Sequence, residues 1–149
     1  LPPQLISGEK SRKKKLGDFH VTDGFCHLVS EKAACALRTI FISTGELLPV
    51  VFVDEPELKY YLYRCTNVVD CLDADRSTIK YSPIRMREIS CITEPVFHEE
   101  KLPTDGFFVV PQSPAVHIYV TEKVKDKVKA AGLKGMVLSK AMFDEPWIS

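Results

Sequence analysis

The chain has 149 residues, of which 45% are hydrophobic and 27% charged, the balance of one globular domain with a sizeable core. Twenty Lys and Arg offset twenty Asp and Glu, and a zero net charge argues against a dedicated nucleic-acid binder, which carries a basic excess. No apolar run reaches the roughly 18 residues that span a bilayer, and the opening "LPPQLISGEKSRKKK" puts its basic run after the apolar stretch, the reverse of a signal peptide.

The charge is unevenly placed: residues 1–45 carry net +3, residues 46–105 net −5 and residues 106–149 net +2. The acidic middle suits a basic partner. Cys26, Cys35, Cys65, Cys71 and Cys91 are odd in number and lack CxxC spacing. They therefore read as small core residues in a reducing cytoplasm, not as a disulfide framework or zinc ribbon.

Residues 1–15 read as a flexible basic arm, because "GEKSRKKK" has no apolar periodicity, and residues 16–149 read as a single domain. Ser30 is a predicted N-cap with Glu31 in the first turn, and Ala33, Ala34, Leu37 and Ile40 recur at helical spacing, which predicts a short helix over 31–38. Gly45 breaks the chain before "ELLPVVFVD", a β-branched strand, and "DEP" at 54–56 is a turn. "LKYYLYRCTNVV" is the next strand, with Tyr61 and Tyr63 on one face and Tyr60 and Leu62 on the other. "RSTIKYS", "MREISCITEPVF", "FFVV" and "HIYV" read as further strands, with "HEEKLPTDG" as a polar loop.

Thr121 is a predicted N-cap for a helix whose apolar stripe is Val124, Val128 and Ala131, with Lys123, Lys125, Lys127 and Lys129 on its solvated face. Gly132 suits the left-handed position that ends such a helix, and "GMVLS" reads as a strand after it. The sum is an α+β fold: a mixed or antiparallel sheet of about six strands with two or more packed helices.

The densest chemical signal is "NVVDCLDADRS" at 67–77, which places Asp70, Asp73 and Asp75 within six residues. A calcium loop fails from Asp73, because its third ligand position is Ser77 and Thr78 stands where glycine is required. Acid–base work by paired carboxylates lacks a second feature such as a neighbouring histidine. The expectation is that Val68, Val69 and Leu72 are core and that the three aspartates fix a turn through side-chain to backbone hydrogen bonds. A small metal-dependent enzyme or binding module built on Asp70, Asp73 and Asp75 is the alternative.

Cys26–His27 and Cys91 with His98 are the candidate thiol–imidazole pairs, without an activating context. His20, His27, His98 and His117 have no zinc-site spacing, and no phosphate-binding loop or nucleophile elbow is present. Phe143 and Trp147 flank Asp144 and Glu145, either as an interface anchor or as a tail docked on its own core.

Four segments in order, "GDFHV" (17–21), "LVSEKAACAL" (28–37), "NVVDCLDADRS" (67–77) and "IYVTEKVKDKVKAAGLKGMVL" (118–138), carry a resemblance that spans about residues 16–140. Together they resemble the eleventh numbered immunity family of bacterial polymorphic toxin systems, formerly a domain of unknown function typified by a myxobacterial immunity protein. The resemblance implies a non-enzymatic, cofactor-free cytoplasmic inhibitor of a cognate toxin encoded by the adjacent gene. Toxins of this kind are often nucleases delivered by type VI or other contact-dependent systems, and neutralisation is by direct contact, without binding of nucleic acid or membrane. It carries over no catalytic residues. Recognition is expected outside the four segments, on loops held by a rigid scaffold. Two such places are the turn with Asp54, Glu55 and Glu57, and the loop with Glu94, His98, Glu99, Glu100 and Asp105.

Overall fold

The structure, a computed structural model, describes residues 4–5, 16–21, 26–85, 87–114 and 117–136. Its largest unit is a five-stranded sheet in the order β1-β4-β5-β3-β2, built from β1 (Gln4–Leu5), β2 (Phe19–Val21), β3 (His27–Ser30), β4 (Gly45–Phe52) and β5 (Tyr60–Cys65). All neighbours pair antiparallel except β1, which runs parallel to β4. Strands β3 and β4 flank β5 and are joined by α1 (Glu31–Ala36) and α2 (Arg38–Thr44). Two smaller ribbons follow, β6 (Thr78–Tyr81) with β7 (Ile89–Glu94) and β8 (Phe107–Phe108) with β9 (Tyr119–Val120). The last described helix is α3 (Glu122–Ala130). The fold is α+β with a mixed sheet, and the strands outside the main sheet form two separate ribbons.

Local chemistry explains the helix boundaries. Ser30 is the N-cap of α1, its Oγ accepting from Ala33 N at 3.1 Å. The helix ends at Ala36, and the turn at Leu37 leads into α2, where the sequence alone predicts one helix to Arg38. Residues 38–44, "RTIFIST", are rich in β-branched side chains and give a weak local helix signal. Burial of Ile40, Phe41 and Thr44 supplies what propensity does not. Gly45 follows at once as the first residue of β4, because a Cβ there would collide with the Arg64 carbonyl.

The stripe read on α3 is present: Val124 and Val128 are fully buried and Ala131 packs partly against the same cluster. Gly132 takes φ +66 and ends the helix as expected. Thr121 is the N-cap residue, but its Oγ1 accepts from Gly106 N at 3.2 Å instead of capping the helix. Lys125 departs from the solvated face: its side chain is 14% exposed and pairs with Glu122 at 3.1 Å. Of the strand read over "GMVLS", Gly135 and Met136 are described and are not in a strand, and residues 137–139 lie outside the described residues, as do Phe143 and Trp147.

Three hydrophobic clusters result, and β8 stands between the two larger ones. Phe107 joins the core of the main sheet and its helices, with Val29, Leu37, Phe41, Tyr63, Val124 and Val128. Phe108, on the opposite face of the same strand, joins Cys71, Leu72, Ile92 and Val110 in the second core. Phe41, Tyr63 and Phe107 form an aromatic triad with centroids 4.6–5.2 Å apart. Thr44 Oγ1 donates to Ile40 O at 2.7 Å, so the Tyr63 hydroxyl, also 2.7 Å away, is the donor to Thr44. Burial pushes the Tyr63 phenol well above its ordinary range. The reading of β5 holds: Tyr63 and Tyr61 face the first core, and Tyr60 and Leu62 face a third cluster with Leu28 and Val50.

One carboxylate closes the main unit. Asp18 Oδ1 accepts from Ser30 Oγ at 2.6 Å, and Oδ2 accepts from Lys134 N at 2.8 Å. The Asp18 main chain repeats both links, donating to Lys134 O at 2.9 Å and accepting from Ser30 N at 3.0 Å. Gly135 adopts φ +90 beside this junction, and a Cβ there would stand 3.0 Å from Phe19 O. Asp18→Ala removes both charge-assisted bonds and is expected to cost about 2–4 kcal/mol of stability in chemical denaturation. Asp18→Asn, which retains one good acceptor, should lose less.

Candidate functional site

The carboxylates of 67–77 are bound into the fold unequally. Asp73 Oδ1 accepts from Arg76 N at 3.2 Å and Oδ2 from Arg76 Nε at 2.7 Å. Its carbonyl accepts from Ser77 N at 3.0 Å and Ser77 Oγ at 2.6 Å, while Val96 N donates to Ser77 Oγ at 2.9 Å. The turn expected of the aspartates is therefore built by Asp73. Hydrogen bonding from the Arg76 side chain, then from its backbone, holds the Asp73 carboxyl below the usual carboxylate value. Asp70 faces Gln112 Nε2 at 3.4 Å. Asp75 lies within the turn but is exposed, and its side chain makes no hydrogen bond among the described residues, so it does not fix the turn.

The apolar residues of the segment also divide. Leu72 is buried and Val69 packs against the second core. Val68, expected in the core, is 55% exposed: it forms an isolated bridge with Val109 at the surface while Val69 turns inward. The same stretch stitches the second core together through Asn67 Nδ2 to Phe107 O, Val69 N to Val109 O and His98 N to Cys71 O, at 2.8–3.0 Å.

Among the candidate thiols, Cys91 meets a histidine that the sequence did not pair with it. Cys91 faces His117, 26 residues away, at 3.7 Å between Sγ and Nε2. No spacing rule could have matched two residues so far apart in the chain that meet only through the tertiary fold. Burial pushes the His117 and His27 imidazoles down, which favours the neutral ring in both. Among the described residues, no three His, Cys, Asp or Glu side chains are grouped to hold a metal ion.

The two acidic regions lie apart. Asp54, Glu55 and Glu57 occupy the turn between β4 and β5, beyond the Val50–Tyr60 pair. Strand β5 leaves the sheet at its other end, Cys65, and leads to the second core. That strand alone is roughly 20 Å long, so the regions stand at opposite ends of the molecule's central strand. Glu94, His98, Glu99 and Glu100 flank Val96, whose carbonyl accepts from Asp73 N, and within the set His98 Nδ1 stands 3.9 Å from Glu100 Oε1. Glu94 accepts from Thr78 Oγ1 at 3.2 Å, His98 N donates to Cys71 O, and Glu99 and Glu100 are exposed on a short 3-10 turn (Glu99–Lys101). Asp105 is different: it is fastened to α3 by Lys127 at 2.8 Å, and its other carboxylate oxygen is buried without a partner among the described residues.

The four signature segments are thus structural. Residues 17–21, 28–37 and 133–136 meet at the Asp18 junction, and 67–77 holds the second core. That pattern defines a scaffold with charged loops at its surface. A family model, Immunity protein family (Imm11), matches residues 8–142. The chain belongs to that family, so its role is immunity against a cognate toxin. No curated protein matches it in sequence.

Asp73→Ala should lower the melting temperature while leaving toxin affinity within about threefold, as expected for a residue outside the contact surface. Because the folded carboxyl titrates below its ordinary value of 3.8, its contribution is fully present above that value. It is lost as pH falls through the lowered folded value. The stability gap between wild type and Asp73→Ala should therefore close on acidification below about pH 4 in thermal scans.

Proposed function

We propose that this immunity protein acts in the bacterial cytoplasm by binding its toxin directly, with no chemistry of its own, and that the toxin is a nuclease made by the adjacent gene. Delivery by a type VI or another contact-dependent system belongs to the same reading. The observation that carries it is the division of labour within the fold. The signature residues are spent on the Asp18 junction and the second core, while Glu94 at the end of β7 and Glu99 and Glu100 on the loop after it stand exposed. The net −5 of residues 46–105 supports a basic partner, such as an enzyme built to grip phosphate backbones. Asp54, Glu55 and Glu57 supply a second acidic edge. Complementary charge of this kind speeds encounter more than it adds affinity.

Co-expression with the product of the adjacent open reading frame should restore growth and give a one-to-one complex by light scattering. The purified partner should cleave DNA or RNA, and the immunity protein should stop it. Replacing Glu94, Glu99 and Glu100 with lysine should slow association about tenfold at low salt, with a smaller difference at high salt. A partner that neither copurifies nor is silenced would refute direct neutralisation.

A further inference from the structure

The hairpin of β6 and β7 has features that folding does not require. Its strands are anchored, since Ile79, Ile92 and, opposite Tyr81, Ile89 pack against the second core. Its two strands pair with no third strand among the described residues. At its tip Ile84 is 90% exposed and Tyr81 58% exposed, with Pro83, Arg85 and Arg87 exposed beside them. Tips of hairpins are ordinarily polar turns of Gly, Asn, Asp and Ser. This one carries an aliphatic, an aromatic and two arginines, the composition of interface anchors.

The described residues of the tip are tied to one another. Ser82 Oγ accepts from Ile84 N at 3.3 Å and Arg85 N at 3.2 Å. Ser82 N donates to Glu88 O at 2.8 Å, Glu88 N donates to Arg85 O at 3.0 Å, and Arg85 pairs with Glu88 at 3.5 Å. Arg87 sits at φ +99, a strained conformation for a residue with a Cβ. The loop thus keeps a large apolar side chain in water and carries a strained residue beside it, neither of which stabilises the free protein. Both make sense if the loop is pre-shaped for a partner, since ordering cost is then met before binding.

We propose that this hairpin is the arm that anchors the toxin, with Ile84 entering an apolar pocket and Arg85 and Arg87 meeting carboxylates at its rim. This rests on the toxin-binding reading above and adds a contact point to it. The acidic base of the hairpin, Glu94 and its neighbours, steers the approach, and the tip supplies the lasting contact.

The test measures affinity for the catalytically disabled product of the adjacent open reading frame by calorimetry, alongside melting temperature. Ile84→Asp should weaken binding about 30-fold or more, on the scale of an interface hot spot, with an unchanged melting temperature because the side chain is exposed. Arg87→Gly should hold or raise the melting temperature by relieving the positive φ, yet weaken binding, a combination that a merely structural role does not produce. If wild type binds and Ile84→Asp binds equally well, the arm is not the anchor and the immunity reading stands. If wild type itself forms no complex, the direct-binding reading fails and takes the arm with it.

Discussion

The Asp18 carboxylate is the tie on which the main unit depends. It joins a strand near the start of the described chain to the N-cap of α1 and to the segment after α3, 116 residues away. Ser30 Oγ donates to Asp18 and accepts from Ala33 N, so one hydroxyl both caps a helix and fixes a tertiary contact. Because the backbone of Asp18 repeats the links made by its side chain, β2, α1 and the 133–136 segment are held in one arrangement. Gly135 belongs to the same constraint: its positive φ brings the chain close against Phe19 O.

From that junction the rest follows in layers. The helices and α3 cover one face of the sheet around Phe41, Tyr63 and Phe107. Strands β8 and β9 each share their two faces between the cores, through Phe107 and Phe108 and through Val120 and Tyr119, so this ribbon fixes the second core relative to the first. On this second core stand the Asp73 turn, the 94–101 loop and the β6–β7 hairpin. Recognition loops braced in this way keep a defined shape without contributing to the main core. The signature segments and the exposed loops therefore answer to different demands, the first to packing and the second to a partner.

Where the chemistry is local, the sequence announces it. The Ser30 cap, the α3 stripe, the Gly132 stop and the alternating faces of Tyr60, Tyr61, Leu62 and Tyr63 all arise within a turn or a strand. The Asp73 turn is legible for the same reason, since its partners are three and four residues on. Helix α2 was hidden because its β-branched residues favour extended chain and only burial makes it helical. Val68 misled because an apolar residue beside a buried one need not share its face. Asp18 and the Cys91–His117 pair were invisible because their partners are distant in the chain. Pro83, Ile84 and Arg85 fell unassigned between the strands read over "RSTIKYS" and "MREISCITEPVF", and only the exposure of Ile84 and the geometry around Ser82 and Arg87 set the tip apart.

The central claim is that the signature segments build the scaffold and the braced loops meet the toxin. Hydrogen exchange of the free protein and of its toxin complex tests this most directly. Binding should slow exchange at the β6–β7 tip and over residues 94–102, while residues 17–21, 28–37 and 133–136 exchange as before. New protection concentrated at the Asp18 junction, with the hairpin tip unchanged, would contradict it.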